Sequence, residues 1–215
     1  MSERILMTGV TSSIGRELRN LLPETIELMS LSRPECDLSD LAAIDRHTDK
    51  IQLADKLVLA HGAHSASHFL ERSPSEIDVS MRVNLLSFVR VIEISLQSNP
   101  NARIVVIGSE SGDKGSHDIT YGLAKAALHR YVRERRISYP GQQLVAIAPS
   151  TLVDGGMTLR RSNRLLVEKA LTSHPKKRGL YSKEVARMIH HLLFVDKGYT
   201  SNTVIEMNGG KFSRS

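Results

Sequence analysis

Tyr121 and Lys125 stand four residues apart in the stretch YGLAK. Residues at i and i+4 share one face of a helix, so a phenol and an ammonium meet if this segment is helical. A free tyrosine has a pKa near ~10, too high for acid–base work at neutral pH, and a nearby ammonium favours the phenolate. Bringing that pKa down by about three units takes roughly 4 kcal/mol of differential stabilisation. Taken alone, the pair is better explained as part of a solvated helix. Ser109 changes the balance. It ends the apolar run in IVVIGSESG, twelve residues before Tyr121. A hydroxyl there can donate a hydrogen bond to a substrate oxygen beside Tyr121. Asn84, in RVNLLSF, is a mediocre helix former within an apolar helical stretch. By itself it reads as a local kink or as a buried amide bonded to backbone.

A second constellation lies at the start of the chain. MTGVTSSIGREL follows an apolar run and opens a helical pattern. Gly9 permits a tight turn and Gly15 a close helix approach. The N–H groups of the first helical turn, with the helix dipole, suit a pyrophosphate, and Ser12 and Ser13 add hydroxyl donors. A glycine pair alone is a weak signal, and an ordinary strand-to-helix turn explains it equally well.

The elements that must position these residues are legible. Apolar runs at Arg4–Met7, Ile26–Leu31, Lys56–Ala60, Arg103–Ile107, Leu144–Ala148 and Thr203–Met207 read as buried strands. Between them, Ser75–Leu96 carries a helical stripe of Ile77, Met81, Leu85, Phe88, Ile92 and Leu96. Its start has Ser73 as cap, Pro74 in the first turn and Glu76 closing a capping box. Thr120–Ile137 and Ser182–Leu193 are further helices. The alternation predicts one α/β domain over residues 1–215, its mostly parallel sheet covered on both faces.

Composition narrows the classes. The 215 residues are 40% hydrophobic and 24% charged, with a net charge of +6 and one cysteine, Cys36, which excludes an internal disulfide. No apolar run reaches membrane-span length, and the start does not resemble a signal peptide, so a cytoplasmic location is expected. Basic clusters at Arg133/Arg135/Arg136, Arg160/Arg161/Arg164 and Lys176/Lys177/Arg178 read first as solvated helix faces. Aromatics do not interleave with them, so neither nucleic acid nor membrane is an expected partner. His61, His64 and His68 sit in a glycine-containing loop without a completing carboxylate. No metal is expected there, and His64 and His68 read as surface histidines.

The spacing from Thr8-Gly9 to Gly15 resembles the nucleotide loop of the short-chain dehydrogenases/reductases, and Asn84, Ser109, Tyr121 and Lys125 stand in that family's catalytic order. The resemblance implies a Rossmann-type doubly wound parallel sheet. It implies that Tyr121 transfers the proton, that Ser109 orients the carbonyl, and that Asn84 holds a water relay. Lys125 would acidify Tyr121, together with the positive nicotinamide ring, and hold the nicotinamide ribose. Gly9, Thr11, Ser12, Ser13, Ile14 and Gly15 would cradle the pyrophosphate. Ala60, His61 and Gly62 would line the adenine ribose, where the family has Asn-Ala-Gly. Asp37 and Leu38 match the adenine contact, and Pro149 and Leu152 the loop that bonds the nicotinamide carboxamide. Where strand two ends, an acidic residue selects NAD. This chain has Ser32 and Arg33 instead, and a guanidinium can fork onto a 2′-phosphate. NADP(H) is therefore preferred, with NAD(H) possible.

The chain also departs from the family pattern. The stretch Arg33–Cys36 is too short for the usual helix after strand two, so that helix should be missing and the next strand vestigial. Ser13 and Ser150 replace small residues or glycine, and the loop 112–119 is shortened. Residues 157–179 match the family's variable substrate lid. Here that lid is basic, suiting a carboxylate, CoA thioester or carrier-protein thioester. The implied activity is an NADPH-dependent ketone reductase, forming a homodimer or homotetramer through its two long helices. The alternative of another class is a nucleotide-binding regulator with weak catalysis. A sugar-nucleotide epimerase and a nucleic-acid protein rank below both.

Overall fold

A computed structural model describes residues 2–65, 67, 69–155 and 172–212. Six parallel strands form one sheet in the order β2-β1-β3-β4-β5-β6. They are β1 (Arg4–Thr8), β2 (Glu27–Ser30), β3 (Lys56–Leu59), β4 (Arg103–Ile107), β5 (Gln143–Pro149) and β6 (Thr203–Met207). The chain starts in the middle, steps to β2 on one side, then crosses β1 to build outward through β3. That reversal puts the topological switch point between β1 and β3, where open α/β sheets place their ligands.

Strand alternation assigns the core to two layers. Leu6, Leu57, Leu59, Ile104, Val106, Leu144 and Ala146 face one side with Phe88, Ile92 and Leu128 of the covering helices. Ile5, Met7, Val58, Val105, Ile107, Val145 and Ile147 face the other with Ile14, Leu18, Val185 and Ile189. Burial on both faces explains why the strands read as continuous apolar runs.

Among the described residues the α-helices are α1 (Ser13–Arg19), α2 (Leu41–Asp45), α3 (Thr48–Gln52), α4 (Pro74–Met81), α5 (Ser87–Ser98), α6 (Ser111–Lys114), α7 (Ile119–Glu134) and α8 (Ser182–His190). The capping box at Ser73 and Glu76 forms as expected: Ser73 N–H donates to Glu76 Oε2 at 2.8 Å, and Glu76 N–H to Ser73 Oγ at 3.3 Å. The stripe read as one helix is α4 and α5 joined by a π turn at Arg82–Leu86 that contains Asn84. A π turn inserts a residue into the ladder and commonly marks a functional position. A second π turn, His191–Val195, extends α8.

The expected loss of the helix after strand two holds, because no helix lies between Ser30 and Asp37. The vestigial strand does not form: no strand occurs between Ser30 and Lys56. Two short helices not foreseen from the sequence, α2 and α3, take that space. Asp40 caps the first, accepting from Ala42 N–H at 2.9 Å, and Ala43, Ile44 and Ile51 bury against the core with Leu31 and Cys36.

Candidate active site

Gly9, at the end of β1, has φ +67, and a Cβ there would lie 2.5 Å from the Ala60 carbonyl oxygen. A Cβ on Gly15 would lie 2.4 Å from the Gly9 carbonyl oxygen. Both glycines are therefore required by backbone approach. Ser12 caps α1, its Oγ accepting from Gly15 N–H at 3.0 Å, and the helix opens with the N–H groups of Ser13 and Ile14, which no preceding turn can satisfy. Thr11 is exposed on the same turn, and its carbonyl accepts from Arg16 Nη1 at 2.6 Å. The cradle fits a dinucleotide pyrophosphate: backbone comes close, and donors point outward at the switch point.

Ala60, His61 and Gly62 follow β3 beside this turn. The His61 ring stacks on Phe88 at 4.0 Å between centroids. Its Nδ1 lies 2.7 Å from Thr8 Oγ1 and its Nε2 2.8 Å from Ser87 Oγ. Burial, with the Lys125 ammonium nearby, pushes its pKa down to about 3, so the ring is neutral. Ser87 Oγ–H donates to the Val83 carbonyl, which leaves Nε2 as the His61 donor and Nδ1 as acceptor of the Thr8 hydroxyl. The His61 side chain thus ties β1 to α5, leaving only its main chain to face a ribose. Among the described residues, no three His, Cys, Asp or Glu side chains gather to hold a metal. His64 lies edge-on to Tyr121, its ring centroid 5.5 Å away, and His68 lies outside the described residues.

Tyr121 sits in the first turn of α7, which Asp118 caps by accepting the Tyr121 N–H at 3.1 Å. Tyr121 is 8% exposed, and the Ser109 side chain stands near enough to its phenol to favour the phenolate. Ser109 Oγ also accepts from Ser111 N–H at 3.1 Å, which fixes the hydroxyl at the end of β4. The structure thus brings Ser109 and Tyr121 together across β4 and α7.

Lys125 differs from expectation. Its ammonium is 1% exposed, donates to the Ile107 carbonyl at 2.8 Å, and lies 4.4 Å from the Phe88 ring centroid. It lies 5.8 Å from the centroid of the Tyr121 ring. Burial pushes its own pKa down to about 7. The Tyr121 phenol is pushed up, not down. Burial is the main cause, the nearby Ser109 hydroxyl partly opposes it, and the Asp118 carboxylate adds to it. The acidifying ammonium read from YGLAK is therefore not acting in this arrangement. A desolvated lysine that is itself half discharged at neutral pH is a weak source of field.

Asn84 is fully buried. Its Nδ2 donates to the carbonyls of Ala63 at 2.8 Å and Ser80 at 3.0 Å, and its Oδ1 accepts the Ala63 N–H at 2.9 Å. Both amide hydrogens are thus engaged with protein carbonyls, and the side chain clamps the loop after β3 over the site.

On the β2 side, Ser32 is half-buried and Arg33 exposed. Asp37 is committed in part: its Oδ1 accepts Ser39 N–H at 2.9 Å and Ser39 Oγ–H at 2.8 Å, bonds that hold its pKa below the usual carboxylate range. Leu38 packs against the core. Pro149 ends β5, and Leu152 bridges to Leu180 while packing in the layer that holds Ile14. The basic lid falls outside the described residues over 157–171, with Arg160, Arg161 and Arg164. Its described end lines a cavity of about 200 Å³ with His174, Lys176 and Arg178, opposite Ser150 and Asn208. Arg178 is engaged with Glu184 at 2.7 and 2.8 Å, and these bonds bring the carboxyl down to about 2.

Two supports were not anticipated. Arg72 pairs with Asp118 at 3.2 Å, both nearly buried, and Ser65 N–H donates to Asp118 Oδ2 at 2.7 Å. This ties the loop after β3 to the start of α7. His129, 1% exposed, lies behind Ser109. Its only sequence signal is the pair of glycines, Gly108 and Gly112, that flank the space it fills.

Comparisons with known proteins bear on the family and the fold. A family model described as enoyl-(acyl carrier protein) reductase matches residues 9–211. The 3-oxoacyl-[acyl-carrier-protein] reductase FabG of Buchnera aphidicola is 22% identical, covering 96% of each chain. The crystal structure of BdcA in complex with NADPH superposes with a TM-score of 0.86 at 18% identity, covering 100% of this chain and 96% of that one. A variant of actinorhodin polyketide ketoreductase with NADPH gives 0.80 at 21% identity, covering 97% of each.

Proposed function

Since this chain belongs to the short-chain dehydrogenase/reductase family of oxidoreductases, we propose that it reduces a ketone to a secondary alcohol with NADPH. The approach of the Ser109 side chain to the Tyr121 phenol, at the carboxyl edge of the sheet, carries the reading. Two hydroxyls that converge there can both reach one carbonyl oxygen. When bound, the dinucleotide supplies hydride to the carbonyl carbon. Tyr121 gives its proton to the carbonyl oxygen while Ser109 donates a hydrogen bond to the same atom. A phenol pushed up by burial is well suited to stay protonated until the oxygen becomes basic. Lys125 leaves the Ile107 carbonyl to hold the nicotinamide ribose and brings its positive charge toward Tyr121. Asn84 acts by holding Ala63 over the site. Gly9 through Gly15 take the pyrophosphate, and Arg33 takes the 2′-phosphate that favours NADPH over NADH.

The relatives' names point to acyl chains on a carrier protein, and the cationic end of the lid suits an anionic acyl carrier or CoA thioester. One name denotes reduction of an enoyl group and the other of a 3-oxo group. The paired hydroxyls favour the second, because proton delivery to oxygen is what they are placed to do. Association into dimers through α5 and α7 belongs to the same reading: Val79, Leu86, Ile119 and Leu123 are exposed apolar residues on or next to these helices.

The test is NADPH oxidation with acetoacetyl-CoA, crotonyl-CoA and a panel of simple ketones. Turnover of the keto substrates above the enoyl one is expected. Binding of NADPH with no turnover of any of them would favour the regulatory alternative, and crotonyl-CoA alone would favour enoyl reduction.

A further inference from the structure

The inference concerns His129 and rests on the reduction proposed at Ser109 and Tyr121. His129 lies one turn beyond Lys125 on α7, facing the end of β4. Lys125 Nζ donates to the Ile107 carbonyl at 2.8 Å, and His129 Nε2 accepts the Ser109 N–H at 3.3 Å. The two bonds bracket Gly108. An amide N–H only donates, so Nε2 must carry a lone pair. The proton therefore sits on Nδ1, which donates to Asp113 Oδ2 at 3.0 Å. A Cβ on Gly108 would lie 2.3 Å from Nε2, and one on Gly112 would lie 2.8 Å from Cε1. Both ends of the serine turn are therefore cut back to admit the ring.

We propose that His129 is a positioning residue: its imidazole holds the Ser109 main chain so that the serine hydroxyl stays in register with Tyr121 during turnover. The need arises because the two hydroxyls stand on different elements. When Lys125 turns to the ribose, the Ile107 tie is lost. His129 then still links α7 to the serine turn through the Ser109 N–H. The charged groups facing the ring are Asp113 from α6 and Lys125 and Arg133 from α7. Burial favours the neutral ring more than Asp113 opposes it, so its pKa lies below the ordinary histidine value. That keeps the accepting lone pair available at neutral pH.

The experiment compares His129→Leu, which keeps bulk without an acceptor, with His129→Gln, whose amide oxygen can accept the Ser109 N–H. With acetoacetyl-CoA, H129L should lower kcat by ~10- to 100-fold, as expected for a reacting group displaced by about an ångström. NADPH affinity should be unchanged, and H129Q should recover most of the rate. A second readout needs no substrate. In the NADPH-loaded protein, amide exchange at Ser109 should quicken at least ~10-fold in H129L through local opening and return toward wild type in H129Q. Exchange at Ser109 in H129L equal to wild type, or H129Q indistinguishable from H129L in both readouts, overturns the proposal. If the wild type reduces no ketone, the proposed function falls while the exchange measurement still decides the clamp. If H129L does not fold, the ring ¹⁵N shifts of wild-type His129 decide. An Nε2 that stays unprotonated to a pH clearly below that at which a free imidazole charges supports the clamp, and titration like a free imidazole near ~6.5 overturns it.

Discussion

The carboxyl edge of the sheet is built densely on one side and sparsely on the other. At β4 and α7, a set of contacts surrounds the reacting position: Ser109 with Ser111 and His129, Lys125 with Ile107, and Asp118 with Arg72. At β2 the chain leaves the sheet into a loop without a helix, Arg33 stands in solvent, and Asp37 turns to Ser39. On the proposed reading, the β4–α7 side is the chemical end and the β2 side the adenine end. Such a division places rate in the first region and cofactor choice in the second.

The predictions separate the two regions. Tyr121→Phe should lower turnover by ~10²- to 10⁴-fold with NADPH affinity intact, since it removes the acid alone. A comparable loss of binding would place Tyr121 in recognition instead.

Lys125→Met should abolish turnover yet stabilise the fold at low pH. The folded pKa is about 7 against an ordinary 10.5. The unfolded chain therefore binds more protons between these values, and wild-type stability rises with pH across that window. The penalty is complete below pH 7 and fades toward 10.5. Denaturant titrations should show K125M more stable by a few kcal/mol, at most about 5, at pH 6, with the gap closing by pH 10. A gap that is independent of pH would refute the buried, discharged lysine.

On the sparse side, Arg33→Ala should weaken NADPH binding by roughly 10- to 100-fold, the value of a charge-assisted contact, and leave NADH unaltered. Equal losses for both cofactors would remove Arg33 from phosphate recognition. Asn84→Ala strips the partners from Ala63, and calorimetry should show a loss of about 1–3 kcal/mol. NADPH affinity should change little; a large fall there would mean the loop after β3 serves the cofactor more than the site.

Much of this was legible in the chain. The strands were readable because a parallel sheet buried on both faces demands uninterrupted apolar runs, as in IVVI and LVAIA. The missing helix after β2 was a matter of length, since Arg33–Cys36 cannot hold one. Asn84, Ser109 and Tyr121 were named as candidates in order, and the structure sets them near one edge of the sheet. What stayed hidden depends on tertiary direction. YGLAK places a lysine one turn from a tyrosine but does not say that the ammonium turns to Ile107 and Phe88, losing charge to burial. The π turn arises because Asn84 bonds Ser80 and Ala63, a contact across the fold that periodicity does not register. His129 had no reading in the sequence, because the space that Gly108 and Gly112 leave for its ring exists only in the folded chain. The helices α2 and α3 were missed because each is only five residues long.

The central claim is that paired hydroxyls on β4 and α7 deliver a proton to a carbonyl oxygen while its carbon takes hydride. The measurement is product analysis by NMR after incubating the protein with acetoacetyl-CoA and NADPH deuterated at the transferable position of the ring. The account predicts deuterium on the carbon that bears the new hydroxyl. Deuterium found only in the saturated chain made from an enoyl thioester, or in no product from any ketone, would contradict it.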